Sequence, residues 1–233
     1  MELGVLCGLA SEARILRRAA DASGAKLDIA CSAARAAMAA EHAERLASKD
    51  LDACVSFGLA GALDPALGAG QAVIPRRVLS PGGEALEADA ELRARLLQAV
   101  EDTALAIADA DVAGVDAAAD SVEAKRALAA RTGCGIVDME SHALAAACHR
   151  HKRRFLVLRA VADTSGMAVP KGALAAVDEH GHARPGPVLA DVLRRPGRLP
   201  DYLALMRAHR DGLAGLEGAA RALCAFSLGS AAS

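Results

Sequence analysis

Short apolar runs alternate with longer stretches of helical periodicity along most of this chain. Leu3 to Cys7 is an apolar run that predicts a buried strand. Ser11 can cap the helix that follows, and Glu12 falls in its first turn, where an acid suits the helix dipole. Leu27 to Cys31 predicts a second strand. Ala33 to Ser48 predicts a helix by its Ala-rich composition, with Arg35, Glu41, Glu44 and Arg45 on the polar side. A third strand, Ala53 to Phe57, runs into the small-residue loop Gly58-Leu59-Ala60-Gly61-Ala62-Leu63-Asp64-Pro65. Gln71 to Val78 reads as a strand interrupted by Pro75, and Ala90 to Val100 as an amphipathic helix. Asp120 or Ser121 can cap a helix running from Val122 to Arg131.

The stretch Gly133 to Gly166 carries the strongest pattern. Ile136-Val137 is strand-like, Asp138-Met139-Glu140 follows it, and Met139 to His149 is helical by composition, with Glu140 in the first turn. Apolar residues surround most of that helix, which predicts burial and makes its leading acids unlike ordinary surface carboxylates. His149 to Arg154 reads as a solvated helix end and turn. Phe155 to Val161 is the clearest strand, and period-two alternation places Phe155, Val157, Arg159, Val161 and Asp163 on one face. A guanidinium in such a strand needs a carboxylate or an anionic ligand, and Glu12 or Glu140 can supply the former. Structural ion pairing and a functional role both satisfy that need. Beyond Gly166, Met167 to Pro187 is punctuated by Pro and Gly, and apolar residues from Leu199 to Phe226 recur at the spacing of one long amphipathic helix or two.

Alternating elements of this kind predict an α/β chain whose strand ends hold the ligand. A length of 233 residues suits a single domain over 1–233, with a helical extension from about residue 173. Aromatics make up 2% of the chain, so the core must be built from Leu, Val, Ile and Ala. A net charge of -2 carries no electrostatic footprint for nucleic acid. Six scattered cysteines without a C-x-x-C pair fit a reduced, cytoplasmic setting, and the first residues show no signal-peptide or membrane-span pattern. His180-Gly181-His182 lacks companion ligands, and no metal site or cofactor is expected. The small-residue loop after the third strand is either a tight turn or a place where backbone N–H groups approach a ligand.

Four segments in order carry a resemblance: GVLCGLASEA, FGLAGALDPALGAGQAV, DMES and LRAVAD. Together they resemble the nucleoside phosphorylase and nucleosidase superfamily, which includes purine nucleoside phosphorylases and methylthioadenosine/S-adenosylhomocysteine nucleosidases. The likeness spans about residues 2 to 166. Within the superfamily, the loop and the C-terminal extension are similar to the hopanoid-associated phosphorylase group. The resemblance implies a three-layer αβα fold around a mixed, partly barrel-like sheet, a homo-oligomer, and cleavage of a purine N-glycosidic bond by phosphate or water.

By resemblance, Asp163 is the strand-end acid that serves N7 of the leaving purine, and Glu140, with Met139, binds the ribose. Glu12 orients water and Arg159 sits beside the nucleophile. Gly58, Ala60 and Gly61 form the loop that approaches the ligand, Asp120 and Val122 flank the base pocket, and Arg35 is a candidate phosphate ligand. The chain departs from the family at Leu59 and Ala162, where Ser is frequent, at Val122, where an aromatic often packs on the purine, and at Cys31-Ser32-Ala33-Ala34-Arg35, where a Gly-rich turn is expected. The resemblance therefore implies a 5′-substituted adenine nucleoside as substrate, adenosylhopane in hopanoid biosynthesis being the specific expectation, with phosphate as a possible co-substrate. Such a substrate is lipid-linked and admits peripheral membrane contact. A general methylthioadenosine/S-adenosylhomocysteine nucleosidase and a catalytically silent nucleoside-binding module are the alternatives.

Overall fold

The computed structural model describes residues 1–229 apart from 102 and 104. Its first half contains β1 (Leu3–Cys7), α1 (Ala10–Ser23), β2 (Leu27–Cys31), α2 (Ala36–Ala47), β3 (Ala53–Ala62), β4 (Ala72–Val73), β5 (Arg77–Leu79), β6 (Ala85–Glu87) and α3 (Ala90–Glu101). There follow β7 (Ile107–Ala108), β8 (Val112–Gly114), α4 (Val122–Thr132), β9 (Ile136–Asp138), α5 (Ser141–His151) and β10 (Phe155–Asp163). Three helices close the chain: α6 (Lys171–Leu174), α7 (Pro185–Arg194) and α8 (Leu199–Gly229).

One mixed sheet holds all the strands, in the order β6-β5-β8-β9-β3-β10-β4-β7, with β1 and β2 added alongside β3. β3 is the branch point. Its first half pairs in parallel with β1 from Ala53 to Ser56, and its last residues, Gly61 and Ala62, pair antiparallel with β9. The segment expected to be a loop after Phe57 is therefore strand, because β10 on one side and β9 on the other supply its hydrogen bonds. Pro75 divides the strand expected over Gln71 to Val78 into β4 and β5, since proline cannot donate to a ladder.

Side chains alternate across β1, β3 and β10 to feed two cores. Leu3, Val5, Val55, Phe57, Leu156 and Leu158 meet α1, α3 and α8 on one face. Leu6, Cys54, Val157 and Val161 meet the Ala-rich faces of α2 and α5 on the other. This is the three-layer αβα arrangement. Each fully buried Leu contributes roughly 2 kcal/mol, and the many alanines let the helices lie close to a sheet nearly free of aromatics. The C-terminal apolar periodicity resolves into α7 and α8, and α8 covers the sheet with Leu216, Ala219, Ala220, Leu223 and Phe226. Gly212 and Gly215 allow that contact: a Cβ at Gly215 would lie 2.1 Å from the Gly70 carbonyl oxygen, and one at Gly212 would lie 2.9 Å from that of Val161. No helix among the described residues is long and apolar enough to cross a membrane.

Candidate functional site

The site is assembled around a guanidinium inside the sheet. Arg159 stands at the middle of β10, in register with Gly58 of β3 and Val73 of β4, and is fully buried. Its Nε lies 2.6 Å from Oδ2 of Asp138. Nη2 donates to the Ser56 hydroxyl at 2.6 Å and to Oε2 of Glu140 at 3.4 Å, and Nη1 donates to the Leu59 carbonyl at 3.4 Å. The nearest counter-ion is Asp138, and Glu140, one of the two acids expected from sequence, also pairs with the guanidinium. Asp138 also accepts the Ser141 N–H at 3.1 Å and the Ser141 hydroxyl. That bond caps α5 and explains why the helix begins at Ser141, leaving Glu140 at its N-cap.

Glu12 and Glu140 flank the turn after β1. Oε2 of Glu12 accepts the N–H groups of Gly8 and Leu9 at 2.8 and 2.9 Å, so the carboxylate reaches back to its own helix's N-cap in half of a capping box. Oε1 accepts the Leu59 N–H at 2.9 Å. Gly58 makes this possible, since a Cβ there would sit 2.5 Å from Oε2 of Glu12 and 2.6 Å from Nη1 of Arg159. Gly8 does the same for Glu140, whose Oε1 would lie 2.8 Å from an added Cβ and accepts the Ser32 hydroxyl at 3.3 Å. Burial pushes the Glu12 carboxyl above its ordinary value against the opposing field of Arg159 and its three backbone donors. Burial likewise pushes Glu140 up to about 7, where Arg159 holds it down and Asp138 and Glu12 push it further up.

Asp163 ends β10 beyond a bulge between Val161 and Asp163, where two residues of β10 face one of β3. The bulge breaks the alternation that would have placed this acid on the face of Arg159, and bulges beside sites re-aim side chains in this way. Its carboxylate meets Nζ of Lys125, a fully buried lysine of α4. Burial raises the Asp163 carboxyl, while Lys125 and then His209 of α8 oppose the rise.

These groups border a cavity of about 240 Å³, walled by Gly8, Leu9, Glu12, Ala34, Leu59, Ala60, Gly61, Val115, Ala118, Ala119, Val137, Met139, Glu140 and Asp163, among others. Glu12 and Glu140 form its acidic end and Asp163 its other polar point. An apolar cavity of about 680 Å³ adjoins it, sharing Leu9, Ala162, Asp163, Val169, Val177 and His209 and continuing to Ala173, Tyr202, Leu205, Met206 and Leu213. A third depression of about 690 Å³, bordered by Arg76, Arg77, Asp109 and Asp111, is occupied by surface ion pairs.

Of the residues singled out from sequence, Glu12, Met139, Glu140, Ala60, Gly61 and Asp163 line the smaller cavity, with Gly58 and Arg159 packed beneath the acids. Asp120 and Val122 are not in its wall; Ser121 caps α4 through the Ala124 N–H, and Ala118 and Ala119 stand on the cavity side. Arg35 is exposed at the N-cap of α2, outside the wall. The turn before it holds Ala33 and Ala34 at φ 53, in the left-handed region. Three of its amides are engaged, Ser32 with the Cys7 carbonyl, Ala34 with that of Gly8 and Arg35 with that of Ser32. Gly8, Lys125 and His209 are participants that sequence reasoning missed, and Asp138 and Ser32 are residues that it named without a role.

A sequence model described as the phosphorylase superfamily matches residues 22–184. No curated protein matches the chain. Among solved structures, the 5′-methylthioadenosine/S-adenosylhomocysteine nucleosidase of Neisseria meningitidis in complex with methylthio-immucillin-A superposes with a TM-score of 0.72 at 16% identity, covering 96% of this chain and 99% of that one. The corresponding nucleosidase of Colwellia psychrerythraea in complex with adenine gives 0.68 at 17% identity, over 96% of each chain. Futalosine hydrolase of Helicobacter pylori gives 0.67 at 13% identity, over 94% of this chain and 97% of that one.

Proposed function

This chain belongs to the phosphorylase superfamily, and from that premise we propose that it hydrolyses the N-glycosidic bond of a 5′-substituted adenine nucleoside. Asp163 gives a proton to N7 of the purine as the electrons of the C1′–N9 bond pass to the base. Glu140 and Met139 hold the ribose, and the carboxylates of Glu140 and Glu12 face the positive charge that develops on the sugar. Glu12 takes one proton from the water whose oxygen bonds to C1′. The proton lost by Asp163 and the one gained by Glu12 balance through solvent, and adenine and the free sugar leave.

The observation that carries the choice of water is the charge of the cavity's sugar end. Glu12 and Glu140 supply acids there, while Arg159 is neutralised beneath them by Asp138 and Glu140. Arg35 lies outside the wall, the Ser32, Ala34 and Arg35 amides of the turn before it are bonded to backbone carbonyls, and Lys125 is bound at the base end. A phosphate dianion would meet two carboxylates with no unengaged cation among the described lining residues. The finer reading is that the 5′ substituent is long and apolar, as in adenosylhopane. The adjoining cavity of about 680 Å³ supports it, and Met206 at its edge is 65% exposed.

Purified protein incubated with adenosine, 5′-methylthioadenosine, S-adenosylhomocysteine and adenosylhopane, with and without phosphate, should release adenine and a free sugar at a rate independent of phosphate. Adenosylhopane should show the highest kcat/KM. Formation of a sugar 1-phosphate would refute hydrolysis, and a preference for 5′-methylthioadenosine would favour the general nucleosidase. Asp163→Asn should slow release by roughly 10²–10⁴-fold. Binding of nucleoside without turnover would reduce the chain to a silent binding module.

A further inference from the structure

Lys125 has no part in the chemistry described so far, yet it is the most thoroughly engaged lysine of the site. It lies one turn into α4 and is 1% exposed. Its Nζ donates to Oδ2 of Asp163, to the Thr164 carbonyl at 2.8 Å and to the Met167 carbonyl at 2.9 Å. An ammonium has three N–H groups, and here each has an acceptor. A buried lysine is tolerated when its charge is paired and all its donors are satisfied in this way. The surrounding chain is tied as well: the Met167 N–H bonds to the Thr164 carbonyl at 3.0 Å, and the Val169 N–H bonds to the Asp120 carbonyl at 2.8 Å, just before α4. The bulged end of β10, the turn after it and the start of α4 are thus gathered on one ammonium.

We infer that Lys125 is a positioning residue for the acid that protonates the leaving base: by occupying Oδ2 of Asp163, it confines the transferable proton to Oδ1. Oδ1 has no protein donor among the described residues, and Asp163 borders the cavity. A carboxylic acid whose Oδ2 already accepts from a cation carries its proton on the other oxygen, facing the base. After the proton has left, the same ammonium stabilises the carboxylate that remains. The two effects act together, one on direction and one on acid strength. Three elements bear charge or titratable groups on Asp163, namely its own strand end, α4 with Lys125, and α8 with His209. Burial lowers His209 below its ordinary value, so near neutral pH it faces Asp163 uncharged and Lys125 supplies the lasting positive field. This inference rests on the reading of Asp163 as the acid for N7.

The test uses the full chain with Lys125→Gln, which keeps polar contacts to the turn without the charge, and Lys125→Arg, which restores a cation. Lys125→Gln should lower kcat for adenine release from 5′-methylthioadenosine by roughly 10²-fold, leave KM within a few fold, and move the alkaline limb of the kcat profile to higher pH. Lys125→Arg should recover part of kcat and return the limb toward its original position. Independently, ¹³C-carboxyl-aspartate NMR, with the Asp163 resonance assigned by its loss in Asp163→Asn, should show Asp163 titrating at higher pH in Lys125→Gln. An unmoved Asp163 titration and an unmoved limb in a folded Lys125→Gln protein would overturn the inference. If wild-type protein released no adenine while the NMR titration still moved, the reaction assigned to the site would fail, and the Lys125–Asp163 coupling would stand.

Discussion

Replacing Glu140 with Gln offers a measurement of the electrostatic cost stored in the site. Glu140 is fully enclosed beside Arg159, Asp138 and Glu12, and its carboxyl is raised from the ordinary 4.5 to about 7. In the unfolded chain the same group ionises near its ordinary value. Between these two pH values the folded protein binds the proton and the unfolded chain does not, so Glu140's contribution to stability is complete below about 4.5 and is lost as pH rises through about 7. At roughly 1.4 kcal/mol per pH unit, the interval is worth about 3 kcal/mol. Gln has the same shape and cannot titrate, so the comparison isolates the ionisation. Urea unfolding of both proteins at half-unit steps from pH 4.5 to 8.5 should show the Glu140→Gln protein gaining about 3 kcal/mol relative to wild type across that range, whatever constant offset the lost oxygen introduces. Asp163 is raised too, but it is not among the charges acting on Glu140 and cancels between the two proteins, whereas Glu12 repels Glu140 and takes a share of the measured difference. Parallel stability curves would refute the argument, because they would mean that Glu140 ionises alike in the folded and unfolded states.

Gly58→Ala should destabilise the fold by about 1–3 kcal/mol, the usual cost of overpacking, because the new methyl would press on the buried carboxylate of Glu12 and the guanidinium of Arg159; thermal unfolding measures it, and an unchanged Tm would contradict the close approach. Arg159→Met should cost about 3–5 kcal/mol at pH 8 by leaving Asp138 and Glu140 buried without a counter-charge. That cost should shrink on acidification, as protonation relieves Glu140, and calorimetry at two pH values reads the difference.

Much of the scaffold was legible in the sequence because its strands are short apolar runs, and β1 and β2 have the bounds that their hydrophobicity implies. The continuation of β3 through Gly58 and Gly61 was not legible, since small residues that read as a loop become strand only when β9 and β10 arrive beside them. The superfamily resemblance, carried by four short segments, agrees with the match over residues 22–184. Asp138 reads from sequence as one of two buried acids without a partner, and Lys125 escaped notice because a charged residue on a helix looks solvated until its partner is known. A signal did exist for Lys125, which occupies the position of an apolar stripe with Val122, Leu128 and Ala129, and it is buried where that periodicity calls for a hydrophobe. The departure at Arg35 was visible, but its exposure outside the cavity wall and the backbone bonds of Ser32, Ala34 and Arg35 were not.

The long helix α8 divides its length between two tasks. Gly212 and Gly215 rest on the backbone of Val161 and Gly70, and the residues after them belong to the core. The residues before them, Leu205, Met206 and His209, border the apolar cavity. On the proposed reading, in which this cavity takes the 5′ substituent, substitutions in the first part would change which substrate is accommodated while the second part keeps the strand end in place. Under that reading, a directed search for altered specificity has its natural library at Tyr202, Leu205 and Met206, away from His209, which acts on Asp163.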